Sequence, residues 1–168
     1  NGWEQSLIGF WNGSFWSVIP SPRIDLSAVL NGVTTLASGK AWAVGSAIPA
    51  SGGSRPIVLQ WNGSEWSEVA LPSSLLGTVS TTLTGITAIS ENDIWAVGSL
   101  NAKTLTLHYN GSSWSVVDSP NNFTFGTGMT NVLNSVTAVS SDNVWAVGEA
   151  LYSRVGSAGQ PIDAYFTT

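Results

Sequence analysis

The residues able to do chemistry in this chain of 168 residues are few and scattered. His108 is the only histidine and there is no cysteine. Thiol chemistry and disulfides are therefore outside its means. One histidine is too few for a multi-histidine metal site, and His108 aligns with Phe10 and Gln60, ordinary strand positions that do not mark it as a nucleophile's partner. Ten acidic residues could supply paired carboxylates for acid–base work, yet no two recur in a cleft-forming context. Glu91, Asp93 and Asp142 come nearest to a calcium site. No loop gathers the six or more oxygens calcium prefers, and Asx turns account for these acids. The residues nominate no catalytic group, no metal ligand and no cofactor.

Aromatic chemistry is more plentiful. Nine tryptophans could stack on the apolar face of a sugar, and their spacing tests that idea. One signature reads Trp11-Asn12-Gly13-Ser14-Phe15-Trp16, then Trp61-Asn62-Gly63-Ser64-Glu65-Trp66, then Tyr109-Asn110-Gly111-Ser112-Ser113-Trp114. A second reads Trp42-Ala43-Val44-Gly45, Trp95-Ala96-Val97-Gly98 and Trp145-Ala146-Val147-Gly148. Self-similarity at about 40–50 residues marks a propeller blade or similar repeating unit. Trp42, Trp95 and Trp145 lie beside Ala and Gly, as expected where neighbouring blades pack closely. The Trp11, Trp16, Trp61, Trp66 and Trp114 set flanks turns, where partial exposure is expected but packing leads.

Short β-branched and aromatic runs punctuated by Gly, Asn, Ser and Pro must position these residues, which predicts an all-β chain. Each unit reads as four strands. Strand a is 33–36, 86–89 and 136–139, and strand b is each Trp-Ala-Val-Gly run with the residue before it. Strand c is 7–11, 57–61 and 105–109, and strand d is 16–19, 66–69 and 114–117. Asn-Gly is a strong hairpin signal because both residues accept positive φ, so it closes c onto d; an equally short turn closes a onto b. Four-stranded antiparallel meanders with tight turns are β-propeller blades.

The chain opens on strands c and d (residues 1–19), passes through full blades at 30–69 and 83–117, and ends with a, b and a degraded c over 133–168. It starts at Asn1 without a leader-like segment, and is expected to be a processed product or a piece of something longer. The opening and closing halves together make one blade, giving about three per chain. Known rings need roughly four to eight. Closure is therefore expected only by oligomerisation, two copies giving six blades or three giving nine, or by the remaining blades of a longer parent chain.

At these residues the chain resembles a group of bacterial secreted or surface β-propeller repeats, whose blades carry a Trp-Asn-Gly-x-x-Trp hairpin and an Asp-Val-Trp-Ala-Val-Gly strand. The group is distantly similar to kelch and galactose-oxidase blades. Residues 91–98 and 141–148 match most closely. The first unit departs, with Gly39-Lys40-Ala41 where the Asp should sit, and Tyr109 replaces the first hairpin Trp of the third. The resemblance implies a propeller in an extracellular or cell-surface setting and no particular activity, because function is grafted onto such folds.

Strand alternation places the a–b and c–d turns on one face and the longer b–c and d–a links (20–30, 46–56, 70–82, 99–104, 118–132 and 149–161) on the other. Loop variation on a constant scaffold is where binding usually resides. Arg23, Arg55, Lys103 and Arg154 fall on the long-loop face, with Phe123, Phe125 and Tyr152 adding aromatic surface. The reading that follows is a non-catalytic binding or display module whose partner, an acidic glycan or a protein, meets that face. A chance charge split over neutrally drifting loops is the plainer account, and a structural subunit whose half-blades join copies is the alternative.

Asn12, Asn62, Asn110 and Asn122 begin Asn-x-Ser/Thr sequences, glycan acceptors in a eukaryotic secretory product; three of them are explained as turn residues. A formal net charge of −5, with only 9% charged residues against roughly 25% on average, argues against a nucleic-acid partner. No apolar run approaches the eighteen or so residues of a membrane span.

Overall fold

The computed structural model describes residues 5–76, 80–121, 129–155 and 161–164, with 152–155 and 161–164 as backbone only. Four antiparallel sheets follow one another along the chain. β1 (Ile8–Trp11) and β2 (Trp16–Ile19) form a hairpin. β3 (Ser27–Thr35), β4 (Ala41–Ile48), β5 (Arg55–Trp61) and β6 (Trp66–Glu68) form a four-stranded meander. β7 (Thr81–Ser90), β8 (Asp93–Leu100), β9 (Lys103–Tyr109) and β10 (Trp114–Val117) form a second. β11 (Met129–Ser140), β12 (Asn143–Val155) and β13 (Pro161–Ala164) make a three-stranded third. A 3-10 turn at Ser73–Leu75 lies on the link between the meanders.

The Asn-Gly hairpins form for local reasons. In the β5–β6 turn the Asn62 Oδ1 accepts the backbone N–H groups of Ser64 and Glu65 at 2.8 and 3.0 Å. Gly63 takes φ 106°, a left-handed conformation that costs a side chain but not glycine. Asn12 and Asn110 repeat the arrangement. The β8–β9 link differs from its expected loop over 99–104. Leu100 pairs with Lys103, and the two residues between them, Asn101 and Ala102, sit at φ 48° and 65°. Two successive positive φ values make a type I′ turn, whose twist matches the flanking strands.

Strands β3, β7 and β11 begin earlier than the sequence pattern suggests because each carries a bulge. Pairing with the next strand slips between Leu30 and Gly32, between Leu83 and Gly85, and between Leu133 and Ser135. One extra residue reverses the in–out alternation, so the part before the bulge does not read as the same strand. The bulge also explains the last residue of each Trp-Ala-Val-Gly run. A Cβ on Gly45, Gly98 or Gly148 would stand 1.9–2.0 Å from the carbonyl oxygen of Val29, Thr82 or Val132. These glycines are required by space.

The meanders stack face to face, with β7 lying between β3 and β11. At the bulges the backbones nearly touch: a Cβ on Gly32 would be 3.3 Å from the Gly85 Cα, and one on Gly85 would be 3.1 Å from the Ser135 Cα. Asn31 Nδ2 donates to the Leu83 carbonyl at 2.8 Å, and the Thr84 hydroxyl donates to the Leu133 carbonyl, so the same bulge position ties each sheet to the next. The main core lies between the two meanders, with Trp42, Val44 and Val58 against Leu83, Ile94, Leu105, Leu107 and Trp114. Burial of each such side chain stabilises by about 1.5–3 kcal/mol. The opposite face of the first meander carries Ala43, Ile57 and Leu59, and Ile8 of β1 packs there.

Candidate functional site

Of the seven residues expected to bind a ligand, the side chains of Arg23, Arg55 and Lys103 lie among the described residues. Arg55 is occupied: its Nε donates to Asp25 at 2.6 Å, and its two terminal nitrogens bind the Glu68 carboxylate at 2.5 and 3.2 Å. The hydrogen bond Arg55 donates to Glu68 raises the Arg55 pKa further; burial opposes this and Asp25 adds to it. This fork clamps the link before β3 to strands β5 and β6. Arg23 and Lys103 are exposed, the first on the link ahead of β3 and the second at the start of β9. Tyr152 and Arg154 lie on β12, opposite Ala164 and Ile162. Phe123 and Phe125 fall outside the described residues.

The hairpin signature resolves into a cross-strand aromatic pair. Trp11 is directly opposite Trp16, Trp61 opposite Trp66 and Tyr109 opposite Trp114. Their ring centroids are 5.9, 5.8 and 5.4 Å apart, the tilted contact aromatic rings prefer. In the middle of the stack this pair serves the neighbouring sheet: Tyr109 and Trp114 lie 5.0 and 5.8 Å from Trp42. Asn12, Asn62 and Asn110 have their side-chain oxygens committed to the turns, and Asn122 is outside the described residues.

A polar cluster that sequence reasoning passed over surrounds Asp93. Its Oδ1 accepts the Trp95 indole N–H at 3.0 Å and lies 2.9 Å from His108 Nε2. The Trp95 and His108 rings stack at 4.4 Å. Burial pushes the Asp93 carboxyl up, but hydrogen bonds from Ser141, His108 and Trp95 outweigh it and hold its pKa below the ordinary aspartate value. The available signal was register: Trp95 is opposite His108, and Asp93 shares a strand face with Trp95. The cluster ties β8, β9 and the β11–β12 turn together and holds no activated nucleophile. Among the described residues no three His, Asp or Glu side chains gather as metal ligands.

The conspicuous surface lies at the two ends of the stack. Equivalent residues of the second signature run from buried to open: Trp42 is 1% exposed, Trp95 is partly buried and Trp145 is 67% exposed. Val44 and Val97 are buried, whereas Val147 is open. At the other end Leu7, Trp16 and Val18 are each more than 70% exposed. Backbone edges are open at the same places. β1 pairs only with β2, and β12 beyond its β11 side is paired only over Tyr152–Val155, among the described residues. Two hollows accompany these edges. One of about 230 Å³ is lined by Ile8, Leu30, Val33, Ala43 and Trp66. The other, of about 490 Å³, is lined by Trp95, Val97, Val117, Val136, Val144 and Ala146.

No protein-family model, curated protein or solved structure matches this chain.

Proposed function

We propose that this chain is a non-catalytic structural unit of a β-propeller, and that a second copy completes it. One observation carries the reading: a repeated apolar position is sealed inside the stack and bare at its ends, on Trp42 and Trp145 respectively. Monomeric proteins rarely leave apolar surface and unpaired edges side by side. The open parts are complementary, because β1–β2 are strands c and d of a blade and β11–β12 are strands a and b. Two copies then make six blades, inside the roughly four to eight of known rings. The motif resemblance is the support for a propeller and for an extracellular or cell-surface setting.

The completed ring would carry the b–c and d–a links on one face, where, among the described residues, Arg23 and Lys103 are exposed. Arg55 does not belong to a ligand site in this reading, since two carboxylates already hold it. Sedimentation velocity with light scattering tests the proposal. The expected particle has twice the 17.5 kDa of one chain, and Trp145→Asp converts it to folded single chains. A wild-type chain that is fully folded at single-chain mass across the micromolar range overturns it.

A further inference from the structure

Resting on that reading, we propose that the second copy enters in one register: β12 of one copy pairs antiparallel with β1 of the other. Val144 then stands opposite Trp11, Trp145 opposite Phe10, Ala146 opposite Gly9, Val147 opposite Ile8 and Gly148 opposite Leu7.

The two complete meanders set this rule independently. In the first, Trp42 is opposite Gln60, Ala43 opposite Leu59 and Gly45 opposite Ile57. In the second, Trp95 is opposite His108, Ala96 opposite Leu107 and Gly98 opposite Leu105. Phe10 occupies the Gln60 and His108 position, counted from the Asn-Gly turn. Among the described residues β13 pairs with β12 only over Tyr152–Val155, and no described strand lies beside Asn143–Leu151 on that edge.

Side-chain direction agrees with the same register. Ile8 faces its own first meander, beside Ala43 and Leu59. By alternation Leu7 and Trp11 point the other way, and both are exposed. Their counterparts Leu105 and Tyr109 cover Trp42 in the middle of the stack. The Trp11–Trp16 pair of one copy therefore enters the hollow beside Trp95 of the other, as Tyr109 and Trp114 sit on Trp42. In return Trp145 and Val147 enter the smaller hollow and meet Trp66 and Val33 of the other copy, as Trp42 and Val44 meet Trp114 and Ile86.

Polar groups extend the series. Asn31 and Thr84 each donate from the bulge to a leucine carbonyl of the next sheet. Asn134 occupies the third bulge and is exposed, and its counterpart carbonyl is Leu30 of the second copy. Sliding β12 by one residue would turn Trp145 and Val147 to the wrong face, so a neighbouring register is not an equal alternative.

The chain has no cysteine, so introduced pairs report without background. Gly9→Cys with Ala146→Cys is the matched pair, and Phe10→Cys with Ala146→Cys is the pair shifted by one. Under mild oxidation the matched variant should form covalent two-chain species at least tenfold faster than the shifted one. In the unmodified protein, backbone amides of Val144–Gly148 should exchange more slowly as concentration drives assembly. A shifted pair that links as fast as the matched one overturns the register. So does a two-chain particle that shows neither the matched link nor slowed exchange, while leaving the assembly itself standing. A particle that is single-chain throughout overturns both.

Discussion

Replacing Lys40 by asparagine isolates one hydrogen bond that the first repeat lacks. In the second and third repeats the indole N–H of the signature tryptophan donates to the side chain two residues earlier, Trp95 to Asp93 at 3.0 Å and Trp145 to Asn143 at 2.7 Å. The equivalent residue of the first repeat is Lys40, which cannot accept. Trp42 is the most deeply buried of the three, and its Nε1 finds no acceptor among the described residues. A buried donor left unsatisfied costs about 1–3 kcal/mol. Lys40 instead binds Glu91 at 2.6 Å. Both side chains are well exposed, and such pairs contribute little and are screened by salt.

Two variants separate the effects. Lys40→Ala removes the ion pair alone and should cost a small amount that fades at high salt. Lys40→Asn removes the same pair and supplies an acceptor, so it should be more stable than Lys40→Ala by about 1–3 kcal/mol. Urea unfolding followed by tryptophan fluorescence, at low and high salt, measures both. In a Trp42→Phe background the difference between the variants should vanish, since no indole N–H remains to be satisfied. Equal stabilities for Lys40→Asn and Lys40→Ala in the wild-type background would refute the reasoning, as would a difference that survives Trp42→Phe.

Two further outcomes follow from the geometry. Gly98→Ala places a methyl 2.0 Å from the Thr82 carbonyl oxygen and 2.8 Å from the Leu83 Cα; both are backbone and cannot turn aside, so the urea midpoint should fall by the equivalent of about 3 kcal/mol or more, and an unchanged midpoint would contradict the bulge argument. Asp93 has a folded pKa below its unfolded value, so its contribution is complete above about pH 4 and is lost as pH falls through the folded value. Asp93→Asn, which keeps an acceptor for Trp95, should therefore lose less stability than wild type on acidification; unfolding midpoints of the two proteins that run parallel from pH 6 to pH 2 would count against it.

The elements legible in the sequence were those whose causes are local. Asn62-Gly63 declares its turn in two residues, and the two aromatic residues on either side of each turn fall opposite one another once the turn is fixed. The β8–β9 turn was hidden because Ala102 supplies a positive φ that sequence rules assign to glycine or asparagine. The early parts of β3, β7 and β11 were hidden by bulges at Asn31, Thr84 and Asn134, where the apolar period changes phase. Arg55 offered itself as a free cation because its partners come from two other segments: Asp25 ahead of β3 and Glu68 on β6. Asp93 and His108 likewise meet only through the register of β8 on β9. Charge and residue type were readable at each of these positions, but commitment to a partner was a property of the packing.

That distinction also decides what the repeated tryptophans mean. Trp42, Trp95 and Trp145 have the same neighbours in sequence and the same partner on the preceding strand, Thr34, Thr87 and Thr137. They differ in whether a third and fourth strand of the next sheet lie over them. Trp42 has both, in Tyr109 and Trp114. Among the described residues Trp95 has only the first two strands of the next sheet over it, and Trp145 has no described sheet over it. Intrinsic hydrophobicity is equal at the three positions, so the gradient of exposure measures missing neighbours. In a stack built from one unit, the surroundings of an interior copy specify what an end copy lacks. In the proposed assembly β1 and β2 of a second chain would bring those groups in the required order, with the aromatic pair Trp11–Trp16 where Trp95 has a hollow and an open backbone edge where β12 has another.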